Sequence, residues 1–287
     1  MTGRVLPVWW DEAADGPTNM ATDELLAEEA IRHDGLVMRL YAWASPAVSL
    51  GAFQRVAEAE AATGIAGLPL VRRPSGGGAI VHGSDLTYAA AVPRSHAWAR
   101  SPEVFYDSVH RALVAALADA GVAATLHVAA ADDPPPDELF CFSRRAPGDV
   151  VAATAEPRAA GLPPKIMGSA QRRLGTTVLQ HGSLLLAANP ATSGPAHHPG
   201  LAEIAGPGRV SPRGLAETWI RLIAAAVGVE SQRQATPFAV GREAAIADRR
   251  ARFCDPRWTG RRRPAPAGRR GTAGWPATPI AKIWGWA

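Results

Sequence analysis

The segment Lys165-Ile-Met-Gly-Ser-Ala-Gln171 sets one amine ahead of Gly168, Ser169 and Ala170, three residues too small to fill a core. Backbone with so little side chain lets a bound group come close. After Gly175-Thr-Thr, Val178-Leu-Gln-His-Gly-Ser-Leu-Leu-Leu186 runs back as a second strand, with the titratable ring of His181 beside the bare Gly182. The pair reads as a hairpin. Upstream, Arg72-Arg-Pro-Ser-Gly-Gly-Gly-Ala-Ile-Val-His82 forms another glycine cluster, and Cys141 lies between the two in sequence. A thiol, an amine, an imidazole and loops of open backbone amides suit acyl transfer, in which a thiolate attacks a thioester and an amine then takes the acyl group.

A free thiol ionises near pH ~8.5, so Cys141 needs a neighbouring cation, and Lys165 is the candidate. In a partly dry cleft the lysine's own pKa is expected to fall, which lets it take a proton from the incoming amine. Backbone N–H groups of Gly76, Gly77 and Gly78, or of Gly168 to Gln171, are candidate oxyanion donors. Cys254 sits among charges in Arg252-Phe-Cys-Asp-Pro-Arg-Trp258, far from both glycine clusters, and is the weaker nucleophile. Plainer readings exist for each residue: free cysteines are often inert core residues, and a lysine with small neighbours can mark a solvated edge strand with a bulge. Metal and nucleotide chemistry lack their usual spacing, because the chain has no His-x-His, no Cys-x-x-Cys, no Gly-Lys-Ser/Thr and no Gly-x-Gly-x-x-Gly.

The elements that must hold these groups follow from periodicity. Val5 to Trp10 reads as a strand, and a helix runs from Asn19 to Ile31 with Thr18 or Asn19 as its cap. Strands are expected at Leu36 to Tyr41, Ala47 to Gly51, Leu68 to Arg72 and Leu86 to Val92, with a short helix over Arg55 to Ala62. The clearest helix spans Pro102 to Ala120, capped by Ser101 and ended by Gly121. Val122 to Val128 returns as a strand, Asp132 to Glu138 breaks regular structure, and Leu139 to Phe142 is a short apolar strand carrying Cys141. Ala188 to Gly208 reads as a loop, followed by helices over Ser211 to Val227 and Glu243 to Phe253. Strands alternating irregularly with helices define an α/β fold of α+β type, with a mixed, largely antiparallel central sheet flanked by helices.

The 287 residues, 47% apolar and 20% charged, describe a globular chain with a sizeable core. No leader or run of about 18 apolar residues is present, so a cytoplasmic protein without membrane contact is expected. Two cysteines make no disulfide framework. The net charge of +4 is concentrated in a tail bearing Arg257, Arg261, Arg262, Arg263, Arg269 and Arg270. That tail reads as a solvated arm or a contact for an acidic partner, and no motif supports nucleic-acid binding. Residues 1–190 form the expected catalytic core, 191–256 a helical segment that completes or caps it, and 257–287 the tail, in which Trp275, Trp284 and Trp286 could dock on the core.

Taken in order, Asn19-Met-Ala-x-Asp-Glu, Arg39-x-Tyr-x-Trp43, Ser49-Leu-Gly-x-Phe-Gln54, the Arg72 to His82 loop, Leu86-Thr-Tyr88, Cys141-Phe142, the Lys165 to Gln171 segment and Gln180-His-Gly182 resemble the lipoate-protein ligase A and octanoyltransferase family, in a superfamily that includes biotin protein ligases. The resemblance covers about residues 5–190 and is closest to the LipM-type octanoyltransferase branch. It implies the biotin/lipoate protein ligase catalytic-domain architecture and octanoyl transfer from acyl carrier protein, through a Cys141 thioester, to a lysine of a lipoyl domain such as the glycine-cleavage H protein. It also implies that Lys165 is the general acid/base, that Arg72, Arg73, Ser75, Gly76, Gly77, Gly78, His82, Gly168, Ser169, Ala170, Gln171, His181 and Gly182 line the acyl site, and that no metal or nucleotide is needed. After Cys141-Phe142 the chain departs from the branch's Pro-Ser-x-Tyr-Glu pattern, reading Ser-Arg-Arg-Ala-Pro-Gly-Asp149. The rival activities are an ATP- and Mg-dependent lipoate ligase and an amidotransferase between lipoyl carriers, and a non-catalytic binder is the rival of another class.

Overall fold

The computed structural model describes residues 5–129, 139–153 and 163–262. Strand β1 (Val5–Trp10) leads to helix α1 (Gly16–His33), then β2 (Val37–Tyr41), β3 (Ala47–Leu50), α2 (Val56–Glu60), β4 (Leu70–Arg72), β5 (Ile80–His82) and β6 (Asp85–Pro93). Next come α3 (Pro102–Asp119), β7 (Ala124–Leu126), β8 (Val150–Ala152), β9 (Lys165–Leu174) and β10 (Thr177–Leu185). The C-terminal part holds α4 (Leu201–Ala205), α5 (Pro212–Ala226), β11 (Glu230–Arg233), α6 (Glu243–Cys254) and α7 (Pro256–Gly260).

Eight strands form one sheet in the order β11-β1-β2-β6-β10-β9-β8-β7, and β4-β3-β5 form a second, smaller one. The large sheet is parallel only where β1 meets β11 and β2, and antiparallel elsewhere. The mixed, largely antiparallel sheet expected from the sequence is therefore present, with helices on both faces. Alternation along the strands divides the core. Tyr88, Ala90, Val92, Val178 and Leu184 face α3 and α5, whereas Ala89, Ala91 and Leu179 face α1. Between α3 and α5 the fully buried Trp219 donates its indole N–H to the Val109 carbonyl at 2.9 Å, so the largest core side chain leaves no orphan polar atom there.

α3 is set as its sequence signals demand, with Ser101 accepting from the Val104 N–H, Pro102 in the first turn and Gly121 beyond its end at φ +76°. α1 starts earlier than expected. Asp15 is its cap, accepting from the Thr18 N–H at 2.9 Å, because Pro17 fits the first turn and lets the helix begin at Gly16. Asn19 is thereby freed for tertiary bonds, donating to the Ala14 and Ala42 carbonyls and accepting from Arg39. The expected loop at 188–208 holds α4 and a 3-10 turn, Gly194–Ala196.

α6 lies along α1. Arg249 pairs with Glu28, Arg252 with Glu24, and Arg250 with Asp15 at 2.6 Å. The breaker at Asp132 to Glu138 and the tail tryptophans lie outside the described residues.

Candidate active site

The Cys141 segment is a 3-10 turn, Cys141–Ser143, and not the strand expected for it. Only Phe140 makes a bridge, to Ala79, and the turn is tied there by Cys141 N–H to Ala79 O and Ala79 N–H to Leu139 O, both 2.8 Å. Gly78 explains why the chain turns. A Cβ on it would stand 2.7 Å from the Cys141 nitrogen and 2.9 Å from its Cα, so only a glycine lets the two loops touch.

Lys165, at the start of β9, is buried and reaches the same turn. Its Nζ lies 3.5 Å from Cys141 Sγ and 3.1 Å from the Cys141 carbonyl oxygen. Gly168 makes room for it, since a Cβ there would meet the lysine Cε at 2.6 Å and Nζ at 2.7 Å. The ammonium pairs with Asp149 Oδ2 at 2.8 Å, and Asp149 also accepts from the Tyr106 hydroxyl and the Ala146 N–H. Burial opposes the charge on Lys165, but Asp149 and the Cys141 sulfur outweigh it and hold its pKa above the ordinary lysine value. This corrects the expectation of a lowered lysine: the group is a firm ammonium, suited to accompany a sulfur anion. The Tyr106 phenol is pushed well up by burial and the Asp149 charge, so it remains a donor to that carboxylate.

Beside the dyad lies a narrow pocket that opens to solvent. Its walls include Met20, Tyr41, Trp43 and Ile80, and Cys141 opens onto it. Of the residues expected from sequence, Arg73, Gly77, His82, Gly168, Ser169, Ala170, His181 and Gly182 line it.

Hydrogen bonds behind the lining hold it in place. Ser75 is buried beneath the glycine loop against His181 Nε2, whose Nδ1 faces Asp23 at 2.8 Å. A second chain runs from Ser49 Oγ to His82 Nε2 at 2.8 Å and from His82 Nδ1 to Asp85 at 2.7 Å, with Trp43 stacked on the imidazole at 3.8 Å. Arg73 fastens the loop by donating to the carbonyls of Ser49, Gly76 and Gly78. Burial pulls this guanidinium down to about 10, which leaves it charged at neutral pH.

Two expected residues fall elsewhere. Arg72 points to the C-terminal helices: its Nε donates to Thr259 O at 2.6 Å and Nη1 to Gly51 O at 2.7 Å, and its own carbonyl accepts from the Trp258 indole. Gln171 pairs with Gln180 on the opposite face of the sheet from His181, because strand neighbours alternate. Sequence reasoning missed Asp149, Tyr106 and His110. Asp149 is one of two carboxylates between Cys141 and Lys165, which is the signal that could have singled it out. His110 is buried between the Gly148 carbonyl and Ser169 Oγ, both at 2.7 Å. Cys254 is exposed on α6. Among the described residues no cluster of three or more His, Cys, Asp or Glu side chains is placed to hold a metal ion.

The fold is that of solved lipoate-protein ligases. A lipoate-protein ligase A bound with ATP superposes with a TM-score of 0.67 at 17% identity, over 90% of this chain and 99% of that one. A bi-partite lipoate protein ligase from Thermoplasma acidophilum, studied with its E2 lipoyl domain, gives 0.63 at 16% identity over 92% and 99%. Residues 15–199 match the lipoyl protein ligase A/B catalytic domain, and the chain belongs to that family. Relatives include the octanoyltransferase LipM of Symbiobacterium thermophilum, 36% identical over 178 residues (60% of this chain, 61% of the relative), and that of Carboxydothermus hydrogenoformans, 32% identical over 175 residues (60% and 61%). The chain thus spans about three fifths of the length of these curated relatives.

Proposed function

We propose that the protein transfers an octanoyl group from acyl carrier protein to the lysine of a lipoyl domain, such as the glycine-cleavage H protein, through a thioester on Cys141. The observation that carries this reading is the dyad of half-buried Cys141 and buried Lys165, with Sγ 3.5 Å from Nζ, at the edge of a pocket that Met20, Tyr41, Trp43 and Ile80 help to wall. The likeness to octanoyltransferases supports the identity of the acyl group.

In the first half-reaction the Cys141 thiolate attacks the donor's thioester carbonyl, a new C–S bond forms, and the carrier's C–S bond breaks. The departing sulfur takes a proton, for which Lys165 is the nearest acid. The acyl chain lies in the cavity between Trp43, Ile80 and Ala170. In the second half-reaction the acceptor amine attacks the Cys141 thioester, the C–N bond forms and Cys141 is released. A thioester is already activated, so neither step asks for a nucleotide or a metal; ATP and Mg belong to the ligase alternative.

Incubation with octanoyl acyl carrier protein and a lipoyl domain, with and without ATP, tests this. Modification of the domain without ATP is expected. Modification only with free octanoate and ATP makes the protein a ligase, and transfer only from an already lipoylated domain makes it an amidotransferase.

A further inference from the structure

Acyl transfer passes through a tetrahedral intermediate whose oxygen is negative, and a site that speeds it holds a hydrogen-bond donor ready at that oxygen. Nearly every donor around Cys141 is already in use. Lys165 spends its three N–H groups on Asp149 at 2.8 Å, the Cys141 carbonyl at 3.1 Å and the sulfur at 3.5 Å. The Cys141 N–H goes to Ala79 O at 2.8 Å. On β9 the Ser169 N–H donates to the Tyr106 hydroxyl at 3.2 Å, away from β10, so its neighbours Gly168 and Ala170 turn theirs into the β10 ladder. Gln171 is three residues past Gly168 (171 − 168), about 10 Å along the strand. The Ser169 hydroxyl donates to His110 Nε2, because Gly148 O, which only accepts, holds the proton on Nδ1, and burial keeps the ring neutral.

The other pocket walls are equally committed. Tyr41 donates to Asp23, the Trp43 indole to Thr87, and the Thr87 and Ser183 hydroxyls to Asp85. Arg73 uses all five of its N–H groups: Nε on Gly76 O, Nη1 on the carbonyl and hydroxyl oxygens of Ser49, and Nη2 on Gly76 O and Gly78 O. Among the described residues the N–H groups left over here are those of the glycine loop. Gly76, Gly77 and Gly78 donate to no acceptor, and of the three Gly77 lines the pocket.

Arg73 also decides where that donor points. In a planar trans peptide the C=O and the following N–H are antiparallel. With Gly76 O drawn to Arg73 Nη2 at 2.7 Å, the Gly77 N–H is directed away from the guanidinium. Two peptides on, Gly78 O meets the same nitrogen, and the Ala79 N–H runs the opposite way to Leu139 O, in the Cys141 segment. The loop is within reach of the reacting atoms: a Cβ on Gly78 would stand 2.9 Å from the Cys141 Cα, and Sγ is two bonds from that Cα. Gly77 itself sits at φ +92°, and a Cβ on it would meet Arg73 Nη2 at 2.8 Å, so a side chain there would part the loop from the arginine.

We propose that the Gly77 N–H is the donor to the thioester oxygen in both half-reactions and that Arg73 is the residue that positions it, an assignment that rests on the acyl-transfer reading above. When the Cys141 sulfur attacks the donor thioester, a C–S bond forms and the carbonyl's π pair moves to oxygen, where the Gly77 N–H meets it. The pair returns as the carrier's C–S bond breaks. In the second half-reaction the acceptor's free amine forms the C–N bond and the same oxygen takes up the pair again. It returns as the bond to Cys141 breaks, and one amine proton passes to the Cys141 sulfur, so amide and thiol are the products.

The test compares two reactions of the same thiol in the full-length protein carrying Cys254→Ser. Alkylation by iodoacetamide displaces iodide at a tetrahedral carbon and builds no oxyanion, so it reads the thiolate alone. S-acylation by octanoyl acyl carrier protein, followed by intact mass, needs the oxyanion donor as well. In Arg73→Lys, which keeps a cation but loses the fork that holds Gly76 and Gly78, the ratio of S-acylation rate to alkylation rate is expected to fall about a hundredfold. Gly77→Ala is expected to lower the same ratio. An unchanged ratio in Gly77→Ala overturns the inference even if Arg73→Lys fails to fold, and so does an equal loss of both reactions in either variant. An unaltered protein that is alkylated but never octanoylated overturns the acyl-transfer reading itself, a distinguishable result.

Discussion

Replacing Asp149 by Asn keeps the side chain's size and removes the charge that faces Lys165. The two side chains are only 1% and 3% exposed and 2.8 Å apart, so the variant leaves an ammonium buried without its counter-charge. Breaking a buried pair in this way costs about 3–5 kcal/mol. At about 2–4 °C per kcal/mol, the expected fall in Tm is roughly 6–20 °C.

The sign of the pH dependence follows from the raised lysine. Its contribution is complete below the ordinary value of 10.5 and is lost only as pH rises through the still higher folded value, so it is constant across the neutral range. In Asp149→Asn, burial is left opposing the charge and Lys165 falls below its ordinary value. Stability from this group then rises with pH where the parent is flat, and the ammonium disappears as pH climbs through the lowered value. Urea denaturation at several pH values reads the first effect, and S-acylation of Cys141 reads the second, with a rate loss of about a hundredfold. Asp149→Leu combined with Lys165→Met should recover stability but not activity, because an apolar pair needs no compensation. Parental Tm and parental S-acylation in Asp149→Asn would refute the reasoning.

Gly168→Ala is expected to keep the fold, since the lysine end can shift, and to lower S-acylation by about a hundredfold through displacement of the amine; a melting curve and single-turnover acylation check this, and full activity contradicts it. Arg72→Ala should loosen the C-terminal helices, at about 1–3 kcal/mol for the carbonyls left unpaired, without changing the KM for the acyl donor; a raised KM at constant Tm would return Arg72 to the cavity. Burial pushes His110 from 6.5 to about 4, so the unfolded chain binds a proton that the folded one refuses. Its effect is absent above the ordinary value, and stability drops as pH falls below it, by about 3 kcal/mol near pH 4. Denaturation of His110→Gln beside the parent should show a shallower acid slope, and equal slopes contradict it.

The hairpin, the α3 caps and the glycine loop were legible because each is specified locally, by alternation, by Ser101-Pro102 or by residues without side chains. The Cys141 turn was not legible as a turn. Its shape is imposed by Gly78, 63 positions upstream (141 − 78), whose absent Cβ admits the Cys141 backbone. Nor was Lys165's raised pKa, because a lone lysine in an apolar stretch suggests burial, and only folding brings Asp149 beneath it. Arg72 and Gln171 were misplaced for simpler reasons. Adjacent residues on extended chain face opposite ways, so neighbours of a true lining residue such as Arg73 or Ala170 point elsewhere.

The most direct measurement is the intact mass of the protein after mixing with octanoyl acyl carrier protein in the absence of ATP. A single octanoyl adduct is expected on the parent and on Cys254→Ser, whose thiol is exposed on α6 away from the cavity, and none on Cys141→Ala. An adduct that persists in Cys141→Ala, or a parent that acquires one only with ATP and free acid, contradicts the assignment of Cys141 as the acyl carrier.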